Sequence, residues 1–284
     1  MSMLLFVLHT LWSIIDDSGF VVSSVVASHP ALLSFPMLAG NVDRAQKGPD
    51  AMATVSHATP TTVPLPLLEA GDHLDQPTFH ECYKAMPSAF RAELIGGVVI
   101  VPSPLSLGHG FSHAMVMAWL VNYGIATPGT KAGENMTTIL GETSEPQPDG
   151  ALIIDPATGG QTGISEDGYL AGPPELIVEV ASSSASIDLH AKRRDYEQAG
   201  VLEYVVVVLR QSVIRWFVLQ DGAYQELSAD ADGIFRSRVF PGLWLHANAL
   251  LQLDGITVMD VLRQGLATPE HIAFVQRLRE RSIG

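Results

Sequence analysis

Leu176-Ile177-Val178-Glu179-Val180-Ala181 is apolar at both parities of a two-residue repeat, which is how a central strand covered on each side reads. A helical pattern from about Ile187 to Ala199 follows and stops at Gly200, and a second apolar run, Glu203 to Leu209, comes next. A strand, about a dozen helical residues and another strand have the length of a right-handed crossover joining parallel neighbours.

Working outward, further strands are expected near Asn135–Leu140 and Pro148–Ile154. A helix is expected over His109 to Tyr123, with Phe111, Met115, Trp119 and Leu120 or Tyr123 on its inner stripe and Gly124 as its stop. The two β-rich runs Ala92–Ile95 and Val98–Val101 flank Gly96-Gly97, a hairpin signal. Thr78-Phe79-His80-Glu81 fits a capping box ahead of a short helix that ends at Pro87. Downstream, Val213–Leu219, Ala223–Leu227 and Phe235–Phe240 predict a closing antiparallel meander, followed by helices near Thr257–Gly265 and Pro269–Arg281. The fold class is therefore α/β, more closely an α+β mixed sheet with flanking helices, formed by residues 67–284.

Residues 1–66 read differently. Leu4 to Ile15 is apolar but too short to span a bilayer, which takes roughly 20 apolar residues. A secretory leader would open with basic residues, yet the first Lys or Arg is Arg44. Asn41 to Pro66, rich in Ala, Thr, Pro and Gly without periodicity, reads as a linker. The expectation is a weakly structured extension without stable membrane association, the apolar run being the one feature that points toward a membrane.

The 284 residues contain 30 Asp and Glu against 16 Lys and Arg, a net charge of -14, and are 47% hydrophobic. That hydrophobic share excludes a disordered solvating chain, and the charge excludes holding nucleic acid by bulk positive potential. Cys82 is the only cysteine, so neither a disulfide framework nor a cysteine zinc site is available, and a reducing, cytoplasmic setting is expected.

Glu179 breaks one face of its apolar strand, and Asp149 leads into the apolar run Gly150-Ala151-Leu152-Ile153-Ile154. A buried carboxylate costs several kcal/mol unless it is paired or bound to metal. Two acids on neighbouring buried strands repel unless a cation lies between them, and Mg2+, which takes oxygen ligands and keeps several waters, is the economical one. On the following helix Leu189, Tyr196 and Ala199 define the apolar stripe, and Lys192 lies roughly 30° from its centre at 100° per residue, so it points toward the sheet and Glu179. Arg193 sits farther off and Arg194 faces away. An inward Lys could orient a water or steady negative charge on a phosphoryl transition state. The competing reading is a buried Glu179–Lys192 ion pair, with Asp149 serving a turn after Pro148.

Ala92-Glu93-Leu94-Ile95-Gly96-Gly97, Ser103-Pro104 with His109, Gln147-Pro148-Asp149, Pro174 to Val180, Lys192, Tyr196, Ala199-Gly200-Val201, Glu203-Tyr204 and Phe240-Pro241-Gly242-Leu243 occur in an order that resembles the Uma family of restriction endonucleases, within the PD-(D/E)XK nuclease superfamily. The resemblance begins near Leu74 and runs almost to the end of the chain. It implies a restriction-endonuclease-like core and a Mg2+ site, with Mn2+ as a substitute, held by Asp149, Glu179, the Val180 carbonyl and Glu93. It also implies Lys192 as the catalytic lysine, supplied from the helix because Ala181 stands where a plain E-x-K motif has its Lys. The implied activity is phosphodiester hydrolysis, with DNA as the expected partner; RNA or a nucleotide would suit the same chemistry, and at a net charge of -14 the grip on DNA would be weak and salt-sensitive or reinforced by a homodimer. Arg193, Arg194 and His109 are candidate substrate contacts. The chain departs from the family pattern at Val205, at Val208-Leu209 and at Ser183, which bears on strand packing more than on the ligands. The alternative is a non-catalytic binding or interaction module that keeps the fold.

Other motifs carry less. His109 and His113 have zinc-ligand spacing, but Gly110 occupies the place of a zincin Glu and no third ligand is evident. Asp230-Ala231-Asp232-Gly233 lacks the later Glu of a calcium loop and fits a turn. No G-x-S-x-G elbow or Walker loop is present.

Overall fold

The computed structural model describes residues 67–283, and the expectations for residues 1–66 lie outside them. Helix α1 (Gln76–Ala85) precedes the hairpin β1 (Glu93–Ile95) and β2 (Val98–Ile100), and α2 (Leu107–Ala126) follows. Next come β3 (Thr130–Gly133), β4 (Thr138–Ile139), β5 (Gly150–Ile154), β6 (Gly163–Ile164), β7 (Leu170–Ala171) and β8 (Leu176–Ala181). A π-helical segment, Ile187–Lys192, runs into α3 (Arg193–Ala199) and then β9 (Glu203–Val208), β10 (Val213–Gln220) and β11 (Ala223–Leu227). Strands β12 (Ile234–Arg236) and β13 (Trp244–His246) and helices α4 (Ala247–Leu251), α5 (Gly255–Leu266) and α6 (Pro269–Ile283) complete the order.

Six strands form the main sheet in the order β11-β10-β9-β8-β5-β3. The β8–β9 pair is parallel and the other pairs are antiparallel. Every residue of β8 and β9 is buried, as the two-sided apolar pattern requires. One face of the sheet, through Leu176, Val178 and Val180, packs with Val116, Trp119, Leu120 and Tyr123 of α2. The other face, through Ile177 and Ala181, packs with Tyr196 of α3. A third apolar cluster joins Phe79 and Cys82 of α1 to Leu94 and Val99 of the hairpin.

Several local expectations change. Helix α1 is capped by Asp75, whose Oδ1 accepts from the Thr78 amide at 2.9 Å, rather than by Thr78. Pro77 suits the first turn, where no N–H partner is needed, and so moves the start upstream. Helix α2 begins at Leu107, capped by Ser106, and runs past Gly124 to Ala126. Its inner face is His109, Ser112, Val116, Trp119, Leu120 and Tyr123, whereas Phe111 is exposed. Trp119, Leu120 and Tyr123 of the expected stripe are buried as read, but the helix is uncharged all round, so periodicity alone misplaced its first turns. The Asn135–Leu140 region supplies only β4, in a small separate sheet with β7 and β6, while the main sheet's edge is β3, which had no strong pattern. Of the expected meander, β10 and β11 join the main sheet, and β12 pairs with β13 as a small antiparallel hairpin. The Gly96-Gly97 turn is as read: φ is 59° and 76°, the doubly left-handed turn that matches strand twist. Asp230 Oδ1 likewise accepts from the amides of Asp232 and Ile234 in a plain turn. Among the described residues no helix is long and apolar enough to cross a membrane.

Candidate active site

The parallel β8–β9 crossover puts the helix that follows β8 over the middle of that strand. Glu179 shares the parity of Ile177 and Ala181 and faces this helix, where Lys192 and Tyr196 meet it. The hairpin brings Glu93 to the same lysine. Asp149, just before β5, reaches the neighbouring strand, where its Oδ2 accepts from the Val180 amide at 2.7 Å. The four side chains singled out from the sequence as catalytic therefore gather around one point at the sheet centre, with Lys192 Nζ 2.9 Å from both Glu93 Oε1 and Glu179 Oε1.

The carboxylate oxygens divide in a consistent way. Glu179 Oε1 accepts from Lys192 and from the Tyr196 hydroxyl, the latter at 2.8 Å. Glu93 Oε1 accepts from Lys192 and from the Gln147 amide at 2.7 Å. Asp149 Oδ2 takes the Val180 amide and lies 3.5 Å from His109 Nε2. On each acid these contacts fall on one oxygen and leave the other out. Glu93 and Asp149 keep part of their side chains open to solvent, while Glu179 and Lys192 are buried.

Four acids surround the single ammonium, the fourth being Asp188, whose Oδ1 is 4.0 Å from Lys192 Nζ. Burial, reinforced by Asp149, Asp188 and Glu93, pushes the Glu179 carboxyl well above the usual range, with Lys192 opposing. Burial would discharge Lys192, yet Glu179, Glu93 and Asp188 outweigh it and hold the ammonium charged. Burial raises Asp188 as well. For Asp149 burial acts upward too, but His109 and the Val180 amide prevail and hold it below the usual carboxylate range. His109 is pushed up by Asp149 in return.

His109 is buried beside Asp149, and its Nδ1 has no partner among the described residues. His113 is a satisfied polar position, its Nε2 2.7 Å from the Asp149 carbonyl oxygen. Arg193 turns away from the acids and stacks on Phe217, 5.3 Å from the ring centroid. Arg194 is exposed and lines a cleft of about 530 Å³ between the hairpin and the helix, with Ile95, Gly96, Asp195 and Gln198. Sequence reasoning missed Asp188, although its four-residue spacing from Lys192 was a readable signal. It also took Tyr196 for packing alone.

Among the described residues no cluster of three or more His, Cys, Asp or Glu side chains forms a metal site by itself. A hard divalent ion asks for less, since Mg2+ is bound through one or two carboxylates with water completing its shell. The oxygens left out on Asp149, Glu179 and Glu93, with the Val180 carbonyl, are a donor set of that kind, and an excess of negative charge around one ammonium suits a further cation. By the chemistry of the donors, hard carboxylate and carbonyl oxygens, the residues suit such an ion.

No match was found among curated proteins. A crystal structure described as a "putative nuclease belonging to DUF820" from Anabaena variabilis is similar at 14% identity, covering 61% of this chain and 96% of that one, with a TM-score of 0.47. The family model described as "Uma2: Putative restriction endonuclease" matches residues 77–249, which include all four convergent side chains. The chain belongs to the Uma2 family, and with it to a nuclease-type fold.

Proposed function

We propose that the protein is a Mg2+-dependent endonuclease that hydrolyses phosphodiester bonds in DNA, acting in the cytoplasm, with its catalytic unit in residues 67–284 and residues 1–66 as an extension. The observation that carries this reading is the set of three acids that each commit one oxygen to the protein and keep the other out of those bonds, around one buried ammonium. Asp149, Glu179, Glu93 and the Val180 carbonyl would hold the cation, which supplies Lewis-acid polarisation of a phosphoryl oxygen and lowers the pKa of water. Tyr196 and Lys192 fix the rotamer of Glu179, and the Val180 amide fixes Asp149, so the acids are oriented before substrate arrives. Lys192 adds a charge that cannot be lost near neutral pH and would steady negative charge developing on the phosphoryl group. Arg194, on the cleft rim, would touch a backbone phosphate, with His109 beside Asp149 and, on leaving its seat on Phe217, Arg193 between Lys192 and Arg194 as further contacts.

Purified protein with Mg2+ should nick supercoiled plasmid, and Glu179→Gln and Lys192→Ala should each lower the rate by about 100-fold or more. Undiminished nicking in both variants would falsify the assignment. The rival, a module that keeps the fold without catalysis, predicts no nicking in any variant. It also predicts no heat of Mg2+ binding that Asp149→Asn removes.

A further inference from the structure

Helix α2 contains no Asp, Glu, Lys or Arg in 20 residues. Its inner face is accounted for by the sheet. The outer face is also apolar: Leu107, Phe111, Ala114, Ala118, Val121 and Ile125 recur at spacings of four and three, the period of a helix–helix seam. Leu107 and Ile125 are 76% and 77% exposed and Phe111 54%. A helix apolar all round is ordinarily buried all round. Beside the seam, Leu253 closes a hollow of about 320 Å³ against Phe111, Ala114, Met115 and Ala118, and the exposed Ile256 stands on the neighbouring α5.

We propose that this face is a twofold interface between two copies of the chain, with α2 packed antiparallel on α2. The seam is self-complementary in that direction. Centred on Val116, reversal brings Leu107 opposite Ile125, Phe111 opposite Val121 and Ala114 opposite Ala118 of the second copy. Large residues meet at the ends and alanines at the middle, where the axes can approach to about 8 Å. An isologous contact needs such a patch that fits its own copy. The large residues of the seam and its border, Leu107, Phe111, Val121, Ile125, Leu253 and Ile256, are 38–77% exposed and together offer an apolar patch of the order of the ~800 Å² that each partner gives a standard-size interface. Two chains each carrying a net charge of -14 repel over most of their surface, and an uncharged seam is where they can close. A lipid surface fits less well, because an interfacial helix carries Lys and Arg on its polar face and α2 has none. The inference does not depend on the nuclease reading.

Sedimentation of the full chain over a concentration series tests it. The wild type should dimerise, and F111E or V121K alone should weaken the dimer by about 100-fold. An equimolar mixture should form a heterodimer about tenfold tighter than either variant's own, because the introduced acid then faces the introduced base across one pair while the other pair stays native. L107E and I125K, at the two most exposed positions, repeat the test should either first variant lose its circular-dichroism melt. A wild type that stays monomeric to about 100 µM overturns the proposal, as does a dimer indifferent to these charges. Loss in the single variants without recovery in the mixture overturns the antiparallel pairing.

Discussion

Lys192 is the ammonium among four carboxyl groups, and its removal leaves Glu179 and Glu93 with neutral donors only and no opposing charge within hydrogen-bond reach at low dielectric. Breaking a buried pair from one side costs about 3–5 kcal/mol, more than most single changes. Lys192→Met, which keeps the stem and deletes the charge, should therefore lower the unfolding free energy by about that much in urea titrations with chelator present. Adding Glu179→Gln should restore a part, since the orphaned charge goes with it; simple additivity of the two losses would show that the pair is not coupled. Asp149, Glu179 and Lys192 were legible beforehand because each was a charge where the surrounding pattern demanded an apolar residue. Glu93 was legible only through family likeness, since its short hairpin strand has no buried run to make an acid conspicuous. Asp188 was passed over because the helix was read for its apolar stripe alone, at 100° per residue, although its spacing from Lys192 pointed to it. The buried positions are Asp188, Lys192 and Tyr196, a stripe one residue removed from Leu189. The cause is the wider π turn over Ile187–Lys192.

Elements that carry the site were legible where their pattern was one-sided or fully buried. The crossover from β8 through the helix to β9 was read almost to the residue, because apolar strands, Gly200 at φ 90° and the intervening length agreed. What no pattern could convey is close approach between elements. Gly265 lies inside α5, and a Cβ there would stand 2.2 Å from the carbonyl oxygen of Gly242, in the Phe240–Leu243 loop. Helix propensity alone favours Gly265→Ala by about 1 kcal/mol. The clash is with backbone, which cannot swing aside, and overpacking of this kind costs about 1–3 kcal/mol or more. Packing should win, so Gly265→Ala is expected to lower the melting temperature by several degrees. A rise would mean that α5 can lift off the loop without penalty. The same contact explains Gly242, one of the residues of family likeness: it needs φ 85°, and its own Cβ would meet Gly265 at 2.7 Å.

Across the whole molecule, an acidic composition has been reconciled with a large buried sheet by placing several acids inside it, and stability should depend on pH accordingly. Glu203 opens β9 and is fully buried; its carboxyl accepts from Ser237 Oγ and the Arg238 amide, each at 2.6 Å, and so ties the loop before Phe240 to the main sheet. Burial outweighs these donors and pushes its pKa from the ordinary 4.5 up to about 7. The folded chain then holds a proton that the unfolded chain has already released. The stabilisation is complete below about pH 4.5 and is lost as pH rises through about 7. At 1.36 kcal/mol per pKa unit the full swing is about 3 kcal/mol. Glu175 and Asp195, also raised by burial, act in the same direction, so the wild type should grow less stable from pH 5 to pH 8 by more than Glu203 alone explains. Glu203→Gln isolates one share: it lowers stability by a constant amount through its poorer fit to the donors, and its pH profile should be shallower than the wild type's by about 3 kcal/mol over that range. Urea titrations of both proteins at intervals of about half a pH unit measure the difference directly. Parallel profiles would mean that Glu203 is ionised throughout, with its donors outweighing the loss of water.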